Sequence, residues 1–290
     1  MMRSMFAAIS GLKQHQTMLD VTANDIANVN TLGFKANRVT FKDSLSQLQR
    51  GGAAQSAGQG GQNPAQIGLG VGLSSIDSVM GGGALQTTGN VLDVAIQGEG
   101  WFRVGQGTAP AVPGSVEYTR AGNFSRNDQG YLVTQDGYFV VGKAATVVAA
   151  GPPPSYAPGA ADSLINIPTG ATNVAIAQDG SVSYVPIGGG ARVTAGYLSV
   201  AKFANEPGLQ RQSGNRWLSS PASGNEVVGT PGTTAAGTWG VTTSGTIEMS
   251  NVDLATEFTN MITAQRGFQA NSRVIGAADE MLTELVNMKR

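Results

Sequence analysis

The residue types that usually carry chemistry are few in this chain and poorly spaced for it. There is one histidine, His15, and no cysteine. That excludes thiol nucleophiles, disulfides, iron–sulfur clusters, cysteine-type zinc sites and any metal site needing two imidazoles. Paired carboxylates can act as general acid and base, but the acids here fall in turn signals (Asp128, Asp136, Asp179) or on helical patterns (Glu280, Glu284). Turn acids ordinarily bond their own backbone. Gly68-Leu69-Gly70-Val71-Gly72 and Gly81-Gly82-Gly83 lack the G-x-G-x-x-G spacing and any following Gly-Lys-Ser/Thr, so neither is a phosphate loop. Both read as places where the backbone bends or another segment comes close. Arg3, Arg38, Arg50, Arg266 and Arg273 are dispersed; Arg266 and Arg273 flank an apolar row, which suits snorkelling or pairing at an interface rather than phosphate binding. His15 has the setting of a solvated or interface histidine. No catalytic residue, no cofactor-binding residue and no metal ligand is expected.

Composition points the same way. Glycine supplies 41 and proline 12 of 290 residues, while charged residues are 13% and aromatics 6%, a balance that favours turns and strands over a packed helical enzyme. With 19 acidic and 18 basic residues the formal net charge is −1, so no global field draws the chain to nucleic acid. No stretch approaches the roughly 20 apolar residues needed to span a bilayer, and no membrane insertion is expected. The run before Gly11, Lys13 and Gln14 is too short for a secretory signal, so export without a cleaved signal peptide is the expected route if the chain leaves the cytoplasm.

Helical periodicity is confined to the two ends. Met2, Met5, Ile9, Leu12, Gln16, Leu19, Ala23 and Ile26 alternate at steps of three and four, predicting a coiled-coil-like helix over about residues 3–28 that stops at Asn28-Val29-Asn30-Thr31-Leu32-Gly33. Leu254, Phe258, Met261, Gln265, Phe268, Ser272, Ile275, Asp279, Leu282 and Val286 form a second such row, widened by Val274, Ala278, Met281, Leu285 and Met288. This predicts a helix over about 252–288, capped from Ser250-Asn251-Val252-Asp253, with Glu257 near its positive end. Two apolar stripes at opposite ends of the chain need partners: each other, or copies of themselves.

Between the ends, short alternating runs such as Val91–Ile96 are broken by Asn127-Asp128-Gln129-Gly130, Gln135-Asp136-Gly137 and Gln178-Asp179-Gly180, each beside β-formers. The predicted class is α+β, a discontinuous terminal helical domain plus a mainly antiparallel β middle. Gly51–Gln62 and Gly151–Ala161, around Pro152-Pro153-Pro154, read as flexible or extended connections.

Particular segments resemble one family, the axial (hook and rod) proteins of the bacterial flagellum. Asp20–Arg38, DVTANDIANVNTLGFKANR, is similar to its N-terminal signature, and Ser250–Phe268, SNVDLATEFTNMITAQRGF, to its C-terminal one. Asp93–Phe102 and Tyr118–Gly142 resemble its middle, so the likeness covers nearly the whole chain. The resemblance implies a structural, non-catalytic subunit whose terminal helices line a tube, with the turn at 28–34 leading outward to a β body. It implies a helical homopolymer that meets other axial proteins (rod, hook cap, hook–filament junction) and the flagellar type III export apparatus. The expected organisation is a helical core from 1–33 and 252–290, a joining region from 34–78 and 236–251, and an outer β domain at 79–235. Expected interface residues are Met5, Ile9, Leu12, Leu19, Ile26, Asn28, Asn30, Gly33, Phe34, Asn251, Leu254, Phe258, Met261, Gln265, Arg266, Phe268, Ile275 and Leu282. Gly60–Gly70 resembles hook subunits more than distal rod subunits, and there is no room for the large outer domain that hooks often carry. A short hook subunit is therefore expected, with a distal rod subunit of the basal body as the alternative.

Overall fold

The computed structural model of the chain describes residues 2–52, 54–55, 60–149, 155–232 and 239–288. Its contacts divide it into two compact units: Met1–Asn28, Ala36–Val79 and Val252–Arg290 form one, Val29–Lys35 and Met80–Asn251 the other. The class is α+β, with a helix at each end and an antiparallel β middle.

The first unit holds helix α1, Met2–Ala27, and helix α2, Leu254–Met288. At 1.5 Å per residue α1 is about 40 Å long. Asp253 caps α2: its carboxylate accepts hydrogen bonds from the Ala255 N–H at 3.0 Å and the Thr256 hydroxyl at 2.8 Å. These bonds hold the Asp253 carboxyl below its ordinary range. The same unit contains two antiparallel ribbons, Asn37–Asp43 with Val71–Ser78 and Ser46–Arg50 with Ala65–Gly68. Residues 34–78, expected with 236–251 as a joining region, thus largely form these ribbons, whereas 236–251 supply strands Val241–Ser244 and Thr246–Glu248 to the second unit. Gly70 shows why glycine is used in this ribbon. At φ 131° its backbone lies against α1, and a Cβ there would sit 2.5 Å from Ser10 Oγ. That hydroxyl accepts a hydrogen bond from the Val71 N–H at 3.2 Å.

The second unit is built on a large antiparallel sheet in which Trp101–Gly105 is central, pairing with Phe139–Ala149, Glu117–Thr119 and Val200–Lys202. Both faces of that strand are buried, and because side chains alternate, neighbouring residues serve different cores. Phe102 joins Val94, Ile96, Phe124, Leu132, Val140, Ile165, Leu198 and Trp239. Trp101 joins Tyr118, Phe203, Leu209 and Trp217, and meets Trp217 edge to face at 5.6 Å. The three turn signals close hairpins as expected: Gly130 N–H to Asn127 O, Gly137 N–H to Thr134 O and Gly180 N–H to Ala177 O, each at 3.0 Å.

One expectation fails. Pro152–Pro154 lie outside the described residues, but 155–161 are not a connection: they begin strand Ser155–Leu164, which pairs with Phe139–Ala149 from Val141↔Leu164 to Ala149↔Ser155. Its Ala, Gly and Pro content masks a strand that pairs on one side only, the kind of strand in which a proline such as Pro158 is tolerated. Of the other expected connection, residues 53 and 56–59 lie outside the described residues.

Candidate assembly interface

The site to be built is a surface, and its base is the α1–α2 pair. Gly11 stands against Asn271, His15 against Gly267, and Asp25 acts electrostatically on Glu257, so the helices run antiparallel. The residues buried most deeply are small or polar. On α1, Ala8, Gly11, Thr22 and Asp25 are buried and His15 and Met18 half-buried, recurring at steps of three and four. On α2, Ala264 and Ala278 are buried and Gly267, Asn271, Ile275 and Leu282 half-buried. A Cβ on Gly11 would lie 2.7 Å from Asn271 Nδ2, and one on Gly267 would lie 2.5 Å from the His15 ring. The backbones therefore approach as only a small-residue seam permits. His15 also meets Phe41 edge to face at 6.1 Å, and Gln14 Oε1 and His15 Nδ1 are buried without a hydrogen-bond partner among the described residues.

On α1 this seam runs one residue to the side of the apolar row read from the sequence, whereas on α2 it takes in Ile275 and Leu282 of that row. Of that row Met5, Leu12, Leu19 and Ile26 are half-buried on the flank and Ile9 is exposed; on α2, Met261, Ile275 and Leu282 are half-buried, while Leu254, Phe258, Gln265, Arg266 and Phe268 are exposed. Apolar side chains off the expected list are exposed as well: Met2, Phe6, Ile262, Val274, Met281, Leu285, Val286 and Met288. Close packing of the pair selects residues without bulk, so the bulky ones flank it and keep their apolar faces outward.

The remaining expected interface residues have different surroundings. Asn28 ends α1, its N–H bonded to Asn24 O at 3.1 Å and its side-chain amide to the same carbonyl at 2.9 Å. Asn30 is exposed. Gly33 and Phe34, expected between copies, are buried inside this chain. Gly33 adopts φ 63°, and its N–H donates to Glu248 O at 2.8 Å. Phe34 lies under the Arg211 guanidinium at 4.4 Å, and Asn215 donates its side-chain amide to Leu32 O. The Asn251 amide donates to Gly81 O at 3.0 Å.

A set of buried charges in the second unit was missed in the sequence. Lys35 Nζ donates to Glu248 Oε1 at 2.6 Å and to Gly81 O at 2.8 Å, and Arg120 reaches Glu248 Oε2 at 3.3 Å. Lys35 and Glu248 are 213 positions apart, so no local pattern joins them. The one available signal was that Lys35 and Arg120 fall within the signature-like segments and Glu248 two residues before one. Burial pushes the Lys35 ammonium below its ordinary value, against the attraction of Glu248. Among the described residues no cluster of three or more His, Cys, Asp or Glu side chains is arranged to hold a metal ion, and no helix is long and apolar enough to cross a membrane.

Three family descriptions match along the chain in this order: "Flagella basal body rod protein" at residues 5–35, "Flagellar hook protein FlgE/F/G D1 domain" at 95–184 and "Flagellar basal body rod FlgEFG protein C-terminal" at 243–288. The flagellar basal-body rod protein FlgG of Bacillus subtilis is 45% identical over the full length of both chains. The chain belongs to the flagellar hook and rod axial protein family. Another member, the basal-body rod protein FlgG of Agrobacterium fabrum, is 41% identical over 97% of each chain. The family is a structural component of the flagellum that self-assembles with other axial components, which places the chain in the flagellum.

The expectation of a hook subunit does not stand. The full-length relatives at 41% and 45% identity are rod proteins, whereas the hook protein FlgE of Borreliella burgdorferi is 26% identical over an alignment of 450 positions, longer than this chain. Gly60–Gly70 misled because it holds strand Ala65–Gly68 of an exposed two-stranded ribbon. Such a ribbon tolerates many small and polar residues and so carries little subunit-specific information.

Proposed function

We propose that the chain is a distal rod subunit of the flagellar basal body, a helical homopolymer that transmits torque along the axis. The observation that carries this is full-length similarity, at 45% identity, to a protein named as a basal-body rod protein. The exposed apolar flanks of α1 and α2 support it, because Phe6, Ile9, Leu254, Phe258 and Ile262 form faces that a copy of the chain can cover. The interface is the exposed part of the expected set, with Met5, Leu12, Leu19 and Ile26 on its edge, while Gly33 and Phe34 serve the chain's own fold. In this reading the protein is not an enzyme and takes no cofactor. It meets neighbouring axial proteins and the flagellar export apparatus, and binds no nucleic acid.

Phe258→Asp tests the proposal. The substitution puts a carboxylate on a face that is open in the single chain and covered in the polymer, where an unpaired charge costs several kcal/mol. Produced in a strain lacking its own rod subunit, the variant is expected to be folded and exported yet leave the cells non-motile. Normal motility would overturn the assignment of this face.

A further inference from the structure

Among the described residues Glu248 is the only carboxylate touching two buried cations. Its side chain is 1% exposed, that of Lys35 0% and that of Arg120 3%. Besides the two ion pairs, Glu248 Oε1 accepts the Gly83 N–H at 3.0 Å. Around it, Gly81 O accepts from both Lys35 Nζ and the Asn251 amide, Arg211 donates to Lys35 O at 2.7 Å, and Asn251 N–H donates to Phe34 O at 3.3 Å. Gly83 is packed so tightly that a Cβ would lie 2.0 Å from Met249 O.

Along the chain, several of these residues lie next to the boundaries of the β unit. Lys35 is the last residue before one boundary, Gly81 is the second after another, and Asn251 is the last before a third. The backbone ladder at this place is slight: Leu85–Thr87 pairs only with Thr246–Glu248, away from the large sheet, and is exposed along its length. None of Lys35, Glu248 and Arg120 belongs to either apolar core, and of the segments around them only Met80 packs against one, with Phe34 buried under Arg211. Segments with few apolar contacts and short ladders open at lower free energy than the sheet they border, so charge has a large share in keeping these closed.

We propose that Glu248 is a latch. Its carboxylate, by holding Lys35, Arg120 and the Gly83 N–H together, ties three passages of the chain at the edge of the β unit, and loss of that one charge frees them while the sheet stays folded. The groups acting on Lys35 are Glu248, Arg120 and Glu206, the last of which accepts from Trp101 Nε1 at 3.3 Å and so is engaged elsewhere. With residue 248 neutral, neither buried cation keeps an ion pair among the described residues. The latch goes beyond the subunit reading and holds whether or not the chain polymerises.

Hydrogen exchange on the full-length monomer tests it. In Glu248→Gln, exchange is expected to accelerate at least about tenfold at 31–36, 80–87 and 246–251 and to stay unchanged in Trp101–Gly105 and Phe139–Val148. Unchanged exchange in the three segments, or equal acceleration in the core strands, would overturn the latch. If Glu248→Gln fails to fold, the local latch is equally overturned unless Lys35→Met, which leaves a one-to-one pair of Arg120 and Glu248, shows faster exchange confined to 31–36 and 80–87. Uniform or absent acceleration in Lys35→Met would complete the refutation.

Discussion

The β unit and the helical unit solve the same problem in opposite ways. In the β unit the large side chains are inside: Trp101, Phe102, Val104 and Leu198 are each 0% exposed. In the helices the buried positions are Ala8, Gly11, Thr22, Asp25, Ala264 and Ala278, while Phe6 is 64% and Met288 78% exposed. The first is a finished core. The second is a close pair whose apolar surface faces outward, which the proposed reading assigns to contacts with copies of the chain. A long helix without a covered apolar face is marginal in water, so the β unit should hold its fold under conditions in which the helices do not.

The largest expected effect breaks the finished core. Phe102→Ala removes a ring packed edge to face on Phe124 at 5.1 Å and should cost about 3–5 kcal/mol, read as a shifted urea midpoint of the β-sheet circular dichroism. Next, Gly267→Ala places a methyl 2.5 Å from the His15 ring, so the ring or the helix pair must shift. A loss of about 1–3 kcal/mol is expected, confined to the helical signal, with the β transition unmoved. A loss shared by both transitions would show that the two units do not fold separately.

Smaller is the effect of Glu257. Burial, then the charges of Asp25 and Asp253, raise its carboxyl above the ordinary 4.5, although Asn260 opposes them. The folded chain therefore holds this proton more tightly than the unfolded one. Its contribution is fully present below the unfolded value and is lost as pH rises through the raised one. Glu257→Gln should be the more stable protein at neutral pH, its advantage in thermal unfolding of the helices shrinking as pH falls toward 4. The smallest effect is expected at Ile262, which is 57% exposed. Ile262→Ser should leave monomer stability within about 0.5 kcal/mol, where any buried isoleucine of the β unit would not.

The sequence alone determined the elements, because their signals are local. Steps of three and four mark α1 and α2, Asp253 marks the start of α2, and Asn127–Gly130, Gln135–Gly137 and Gln178–Gly180 mark hairpin turns through short-range backbone chemistry. It did not reveal the strand beginning at Ser155, whose alanines and Pro158 carry no strand signal and whose place is set by pairing with Phe139–Ala149. Nor did it locate the helix seam. Periodicity reports that an apolar row exists, not what the row touches, and close approach of two backbones selects Gly11, Gly267 and Ala264, residues with almost no hydropathy to read. The union of Lys35 with Glu248 belonged wholly to tertiary structure. A buried ion pair is made by the topology that brings distant segments to one place, and the signature-like segments around these residues do not say that the two meet.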